Sequence, residues 1–124
     1  MKILDAHIKM AVTAAEDKKA EDIVVLDVSE VCTFSSALVI CHGNSSRQVQ
    51  TIAGAIRDLL RENGLRPHHM EGERQGEWVL MDYLFFVVHV FVAERRHFYA
   101  LEHLWGDAPR VEITSEETGP VAGT

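Results

Sequence analysis

Two apolar runs, Glu77 to Tyr83 and Phe86 to Val92, stand two residues apart in this chain. Both are rich in β-branched and aromatic residues, and so short a connection leaves antiparallel pairing as their simplest arrangement. His68 to Glu71 reads as a further short strand ahead of a turn at Gly72 to Gly76, which extends the pair to a three-stranded meander. Strand alternation puts Trp78, Leu80 and Asp82 on one face, with Val79, Met81 and Tyr83 on the other. One set must pack against helices. The other is either more core or an open aromatic row that marks a partner site, and the spacing allows both.

Around this meander the pattern changes period. Leu4, Ile8, Ala11, Val12 and Ala15 recur at helical spacing over residues 3 to 19. Ile23 to Leu26 and Ala37 to Cys41 are continuous apolar runs of buried-strand type, with a loop at 29 to 36 between them. Ser45 with Gln48 three residues on forms a capping box before a helix whose apolar face is Val49, Ile52, Ala53, Ile56, Leu59 and Leu60. Asn63-Gly64 ends that helix. A last helix is expected over 94 to 105, through Phe98, Leu101 and Trp105, and residues 112 to 124 read as a disordered tail. The order α-β-β-α-β-β-β-α predicts a single α/β domain, with a mixed sheet of about five strands and flanking helices. A right-handed crossover through the capped helix sets the strands on either side of it parallel.

Composition bounds the function. Twelve Lys and Arg face 19 Asp and Glu, for a net charge of −7. Phosphate-backbone binding draws on Lys and Arg, so little direct nucleic-acid contact is expected, and a basic protein partner is the better match. Cys32 and Cys41 lack metal or disulfide-scaffold spacing and read as free thiols of a reducing compartment. The N-terminus lacks the pattern of a secretory signal, and Tyr83 to Ala93 is too short to cross a bilayer. A cytoplasmic protein without membrane contact is expected.

Chemistry is sparse. Gly43 and Ser45 before a helix, with Arg47 beside them, could hold a phosphate at the helix N-terminus, but one glycine outside any phosphate-loop pattern serves an ordinary cap equally well. Nucleotidyl transfer would also need strand-borne acids for divalent metal ions. The only acidic pair at i, i+2 is Glu71 and Glu73, with a turn glycine between them. His68-His69 and Cys41-His42 are adjacent pairs that point to opposite faces of a strand, a poor start for one zinc ion. His89, among valines, is expected to be a structural imidazole, with Asp82 on the neighbouring strand as a suitable carboxylate. No nucleophile accompanies that pair, so no catalytic residue, cofactor or metal is assigned.

Asp22-Ile-Val-Val-Leu-Asp-Val-Ser29, Gly43-Asn-Ser-Ser-Arg-Gln-Val-Gln50, Glu71-Gly72, Gly76-Glu-Trp-Val-Leu-Met-Asp-Tyr83, Val87-Val-His-Val-Phe91, Phe98-Tyr99 and Leu101-Glu-His-Leu-Trp105 with Asp107-Ala-Pro109 together resemble the ribosomal silencing factor family, also called Iojap-like. The likeness implies a domain over 1 to 111 with a nucleotidyltransferase-like fold that lacks the catalytic acids. It also implies a translation repressor rather than an enzyme. Such a protein binds the fourteenth, basic protein of the large ribosomal subunit and blocks joining of the small subunit when nutrients are short. Two alternatives remain: a large-subunit biogenesis factor using the same contact, and a nucleotide-binding, nucleotidyltransferase-like enzyme. The family positions that map here are Trp78, Leu80, Asp82, Tyr83, His89, Arg47 and Gln48, which are expected to form the partner contact.

The chain departs from that pattern twice. Ser36-Ala37 stands where the family has an Asp and an aromatic, and Leu84-Phe85 where it has a Gly-Asp turn. The second departure is poor turn chemistry and enlarges an apolar patch. Leu84, Phe85 and Phe86 are therefore expected to serve a homodimer or an altered partner contact.

Overall fold

The structure, a computed structural model, describes residues 6–28, 37–94 and 110–111. Residues 3–5 of the expected first helix, Cys32, Ser36, the expected helix beyond Glu94 and the tail from 112 lie outside the described residues. The elements are α1 (Ala6–Asp17), β1 (Glu21–Asp27), β2 (Ala37–Gly43), α2 (Ser46–Glu62), β3 (His69–Glu71), β4 (Trp78–Asp82), β5 (Phe86–Val92) and β6 (Arg110–Val111). They form one mixed sheet in the order β3-β4-β5-β2-β1-β6.

β3, β4 and β5 make the expected antiparallel meander, with Leu80 opposite both Glu71 and His89. β2 is parallel to β5 and antiparallel to β1. The strands flanking α2, β2 and β3, do point the same way, but β4 and β5 lie between them, so the crossover spans two strands. β6 is a sixth strand where about five were expected, pairing Val111 with Val25 and Arg110 with Leu26. Two residues beside Pro109 carry no alternation from which a strand could be read.

Both helices pack on one face. Ile8, Ala11 and Ala15 of α1 and Val49, Ile52, Ala53, Ile56 and Leu60 of α2 are fully buried, against Val39, Cys41, Val79, Met81, Phe86, Val88 and Val90 of the sheet. α2 is closed at both ends by its own sequence. Ser45 Oγ accepts from the Gln48 N–H at 3.0 Å, while Gln48 Oε1 accepts from the Asn44 N–H at 2.7 Å, one residue ahead of the cap. At the other end Gly64, at φ +86, lets the Leu65 N–H reach the Leu60 carbonyl and its own N–H reach that of Arg61.

A second cluster lies on the opposite face: Val24, Leu26, Val28, Leu38, Ile40 and Phe91, with Trp78 and Val87 packed against it. Among the described residues no helix side chain belongs to it.

Candidate functional site

The register fixes which residues share the face that α1 and α2 leave open. From the β3 edge inward they are His69 and Glu71, then Trp78, Leu80 and Asp82, then Val87, His89 and Phe91. Beyond them come Leu38, Ile40 and His42 of β2. Exposure falls along that line. His69 and Glu71 are exposed, the β4 trio is half-buried, and His89, Phe91 and Ile40 are buried. The question left open by alternation is thus resolved: Val79 and Met81 take the helix-packed side, and the Trp-Leu-Asp row stays in reach of solvent.

The row begins on a braced turn. Gln50 of α2 donates to the carbonyls of Glu73 and Arg74 at 3.1 and 2.8 Å, and Arg57 meets the Glu73 carboxylate at 2.5 Å. Gly72, at φ +84, lies so close that an added Cβ would sit 2.0 Å from the Trp78 carbonyl oxygen, and one on Gly76 would sit 2.6 Å from that of Ser46. Only glycine fits either place. The chain therefore enters β4 against both α2 and its own turn, which fixes where Trp78 starts.

Trp78 donates its Nε1–H to His89 Nδ1 at 3.0 Å. Its ring also lies 5.2 Å from that of Phe91, while His89 and Phe91 stack at 6.1 Å and 7°. The expected carboxylate partner of His89 is thus replaced by an indole. Asp82 sits opposite Val87, and its Oδ1 instead accepts the Leu84 N–H at 2.8 Å within the hairpin turn. Burial pushes the His89 pKa down to about 4, so the ring is neutral and can offer Nδ1 as an acceptor.

The other expected contact residues divide. Tyr83 is only 3% exposed, stacks on Phe86 at 5.0 Å on the helix side, and has its phenol pushed up to about 12 by burial. Its side chain cannot meet a partner. Phe86 is fully buried and so contributes nothing to an exposed patch. Gln48, besides capping α2, donates to the Lys18 and Lys19 carbonyls at 3.2 and 3.1 Å, tying the end of α1 to the start of α2. Its amide is spent on the fold. Arg47 is exposed, but it belongs to α2, across the sheet from Trp78.

Leu84 and Phe85, 57% and 40% exposed, are the exposed large hydrophobics among the described residues. Leu84 has φ +77, in the left-handed region that favours glycine. Sequence reasoning missed His69 and Glu71. Their side chains meet at 2.5 Å beside Leu80 and Asp82, and only the cross-strand register, which no local pattern carries, brings them there.

A separate cleft of about 500 Å³ opens at the start of α2, lined by Asn44, Ser45, Ser46, Glu77, Val92 and Glu94. Its two carboxylates oppose a bare phosphate at that helix end. No group of three potential metal ligands occurs among the described residues. Nor, among them, is any helix long and apolar enough to cross a membrane.

Comparison with known proteins adds a family. The family described as "Ribosomal silencing factor during starvation" matches residues 2–122. A Bacillus subtilis protein named ribosomal silencing factor RsfS is 46% identical over 106 residues, which are 86% of this chain and 90% of that one. A crystal structure of a Bacillus halodurans protein superposes with a TM-score of 0.77 at 42% identity, covering 86% of this chain and 96% of that one. Another, from Chromobacterium violaceum, gives 0.81 at 34% identity over 95% and 98%.

Proposed function

This chain belongs to the ribosomal silencing factor family, and on that premise we propose that it represses translation by seating the open face of its sheet on the large ribosomal subunit. The contact is the fourteenth ribosomal protein, and the bound chain then stands where the small subunit would dock. Steric occlusion needs neither turnover nor cofactor, and the action belongs in the cytoplasm.

The observation that carries the reading is the half-buried row Trp78, Leu80 and Asp82, held rigid on β4 beside the exposed His69 and Glu71. An aromatic and an aliphatic anchor with an acidic rim suits a basic protein surface, and the net charge of −7 favours the encounter at long range. A rigid sheet also presents these anchors with little ordering left to do on binding.

The test is a subunit-joining assay on sucrose gradients with the wild-type chain and Leu80→Arg. Wild type is expected to hold the subunits apart and co-migrate with the large one, whereas Leu80→Arg, folded by circular dichroism, does neither. Normal joining at saturating wild-type protein would overturn the repressor reading. A wild type that binds the large subunit without affecting joining would leave the biogenesis role.

A further inference from the structure

We propose that His89 is a positioning residue, which accepts the Trp78 indole N–H from beneath and thereby fixes the part of the ring that the open face presents to a macromolecular partner. The inference rests on the reading that this face binds the ribosome. It also reassigns His89, which sequence alone placed among the contacts.

His89 is 7% exposed and lies under the row, opposite Leu80 on one side and Ile40 on the other. A side chain so placed touches a partner only through its neighbours. An aliphatic residue would fill this place as Val88 and Val90 fill theirs, at no desolvation penalty. What the imidazole adds is an acceptor at 3.0 Å from Trp78 Nε1 and a flat ring stacked on Phe91.

Burial keeps the ring neutral, and the ionisable groups nearest it on the neighbouring strands are engaged elsewhere. On β4, Asp82 turns its Oδ1 to the Leu84 N–H, and on β2, His42 stands 3.4 Å from Glu21. With the indole N–H directed inward, a partner meets the π face and carbon edge of Trp78. That surface suits the aliphatic stem and cationic head of a Lys or Arg rather than a hydrogen-bond acceptor.

The experiment compares wild type, His89→Leu, His89→Asn and Trp78→Phe. For the indole readout each is placed in a Trp105→Phe background, where a single indole remains at most. Two quantities are read: hydrogen exchange of the Trp78 Nε1–H by NMR in the free protein, and affinity for purified large subunits by co-sedimentation. His89→Leu is expected to fold, to lose protection of the indole N–H, and to bind roughly three- to tenfold more weakly, the scale of one net hydrogen bond. His89→Asn, whose Oδ1 lies close to where Nδ1 was, should restore both.

In a Trp78→Phe chain the further change His89→Leu should not weaken binding again, because the donor is already gone. Wild-type affinity in His89→Leu overturns the proposal. So does a His89→Asn chain that protects the indole yet binds no better than His89→Leu. Should His89→Leu fail to fold, the Asn and Phe variants decide between them. If the wild-type chain does not bind large subunits at all, the functional reading falls, while indole exchange still decides whether His89 fixes the ring.

Discussion

The two faces of this sheet are built to different standards of closure. On the helix side, every strand residue from Val79 to Val90 that faces α1 and α2 is buried, and among the described residues the only polar side chain inserted there is the phenol of Tyr83, whose hydroxyl meets Met81 Sδ at 3.9 Å. On the other side, burial is complete at Ile40 and Phe91 and gone by His69 and Glu71. The helix side resembles an ordinary core. The open side grades from core to surface within three strands, and the buried polar side chain among its described residues, His89, is bonded to the aromatic that straddles the boundary. The half-buried β4 row is thus tied by a hydrogen bond to the buried layer beneath it.

Neighbouring residues of β4 give the sharpest contrast. Met81→Ala removes a fully buried side chain from the helix side and should destabilise the chain by about 2–5 kcal/mol, read from denaturant midpoints at constant slope. Leu80→Ala, one residue earlier and half-buried, should lose about 1 kcal/mol or less while weakening large-subunit binding. Equal losses of stability would mean the two faces are equally core, and the comparison would fail.

Acid and alkali should separate the faces next. The folded chain keeps His89 neutral down to about pH 4, while an unfolded histidine takes up a proton near 6.5. The unfolded state therefore binds more protons in that window, and stability falls as pH drops from 6.5 towards 4, by about 3 kcal/mol from this group. Tyr83 gives the opposite sign at the other end. Held protonated to about 12 against 10 when unfolded, it supports the fold below pH 10 and loses that support as pH rises through 12. Urea titrations across pH should show His89→Leu flattening the acid limb and Tyr83→Phe the alkaline one. An acid limb unchanged in His89→Leu would assign it to other groups.

What the sequence disclosed follows the range of each signal. The helix caps, the meander and the β4 alternation rest on residues within a few positions of one another, and their physics is local. Ser45 with Gln48 and Asn63 with Gly64 could be read directly for that reason. The partner of His89 could not. Asp82 and Trp78 are both on the paired strand, and choosing between them needs the knowledge that Leu80 is opposite His89 and that the Leu84 N–H claims Asp82. β6 depends on a long-range pairing with β1 that two residues cannot announce. Tyr83 entered the expected contact through the family resemblance, while alternation set it on the face opposite Trp78, Leu80 and Asp82 without saying which face is covered. The same ambiguity hid Phe86, which looks continuous with Leu84 and Phe85 in sequence yet turns into the core.

Between the two faces lies the hairpin tip, and it belongs to neither. Leu84 is 57% exposed at φ +77, so it gains little burial while holding a conformation that favours glycine by about 1–2 kcal/mol. Its N–H is bound to Asp82 Oδ1, and the Phe85 N–H to the Tyr83 carbonyl at 3.1 Å, so the turn itself enforces that angle. Leu84→Gly relieves the strain but adds freedom to the unfolded chain. The net expectation is a gain of about 0.5–1 kcal/mol, seen as a higher denaturant midpoint. Two results sharpen the contrast between fold and surface. A variant that is more stable and binds large subunits as before marks the leucine as neutral to function. One that is more stable yet binds more weakly shows that the tip keeps its strained apolar residue for contact, extending the binding surface from the open face of β4 around its end.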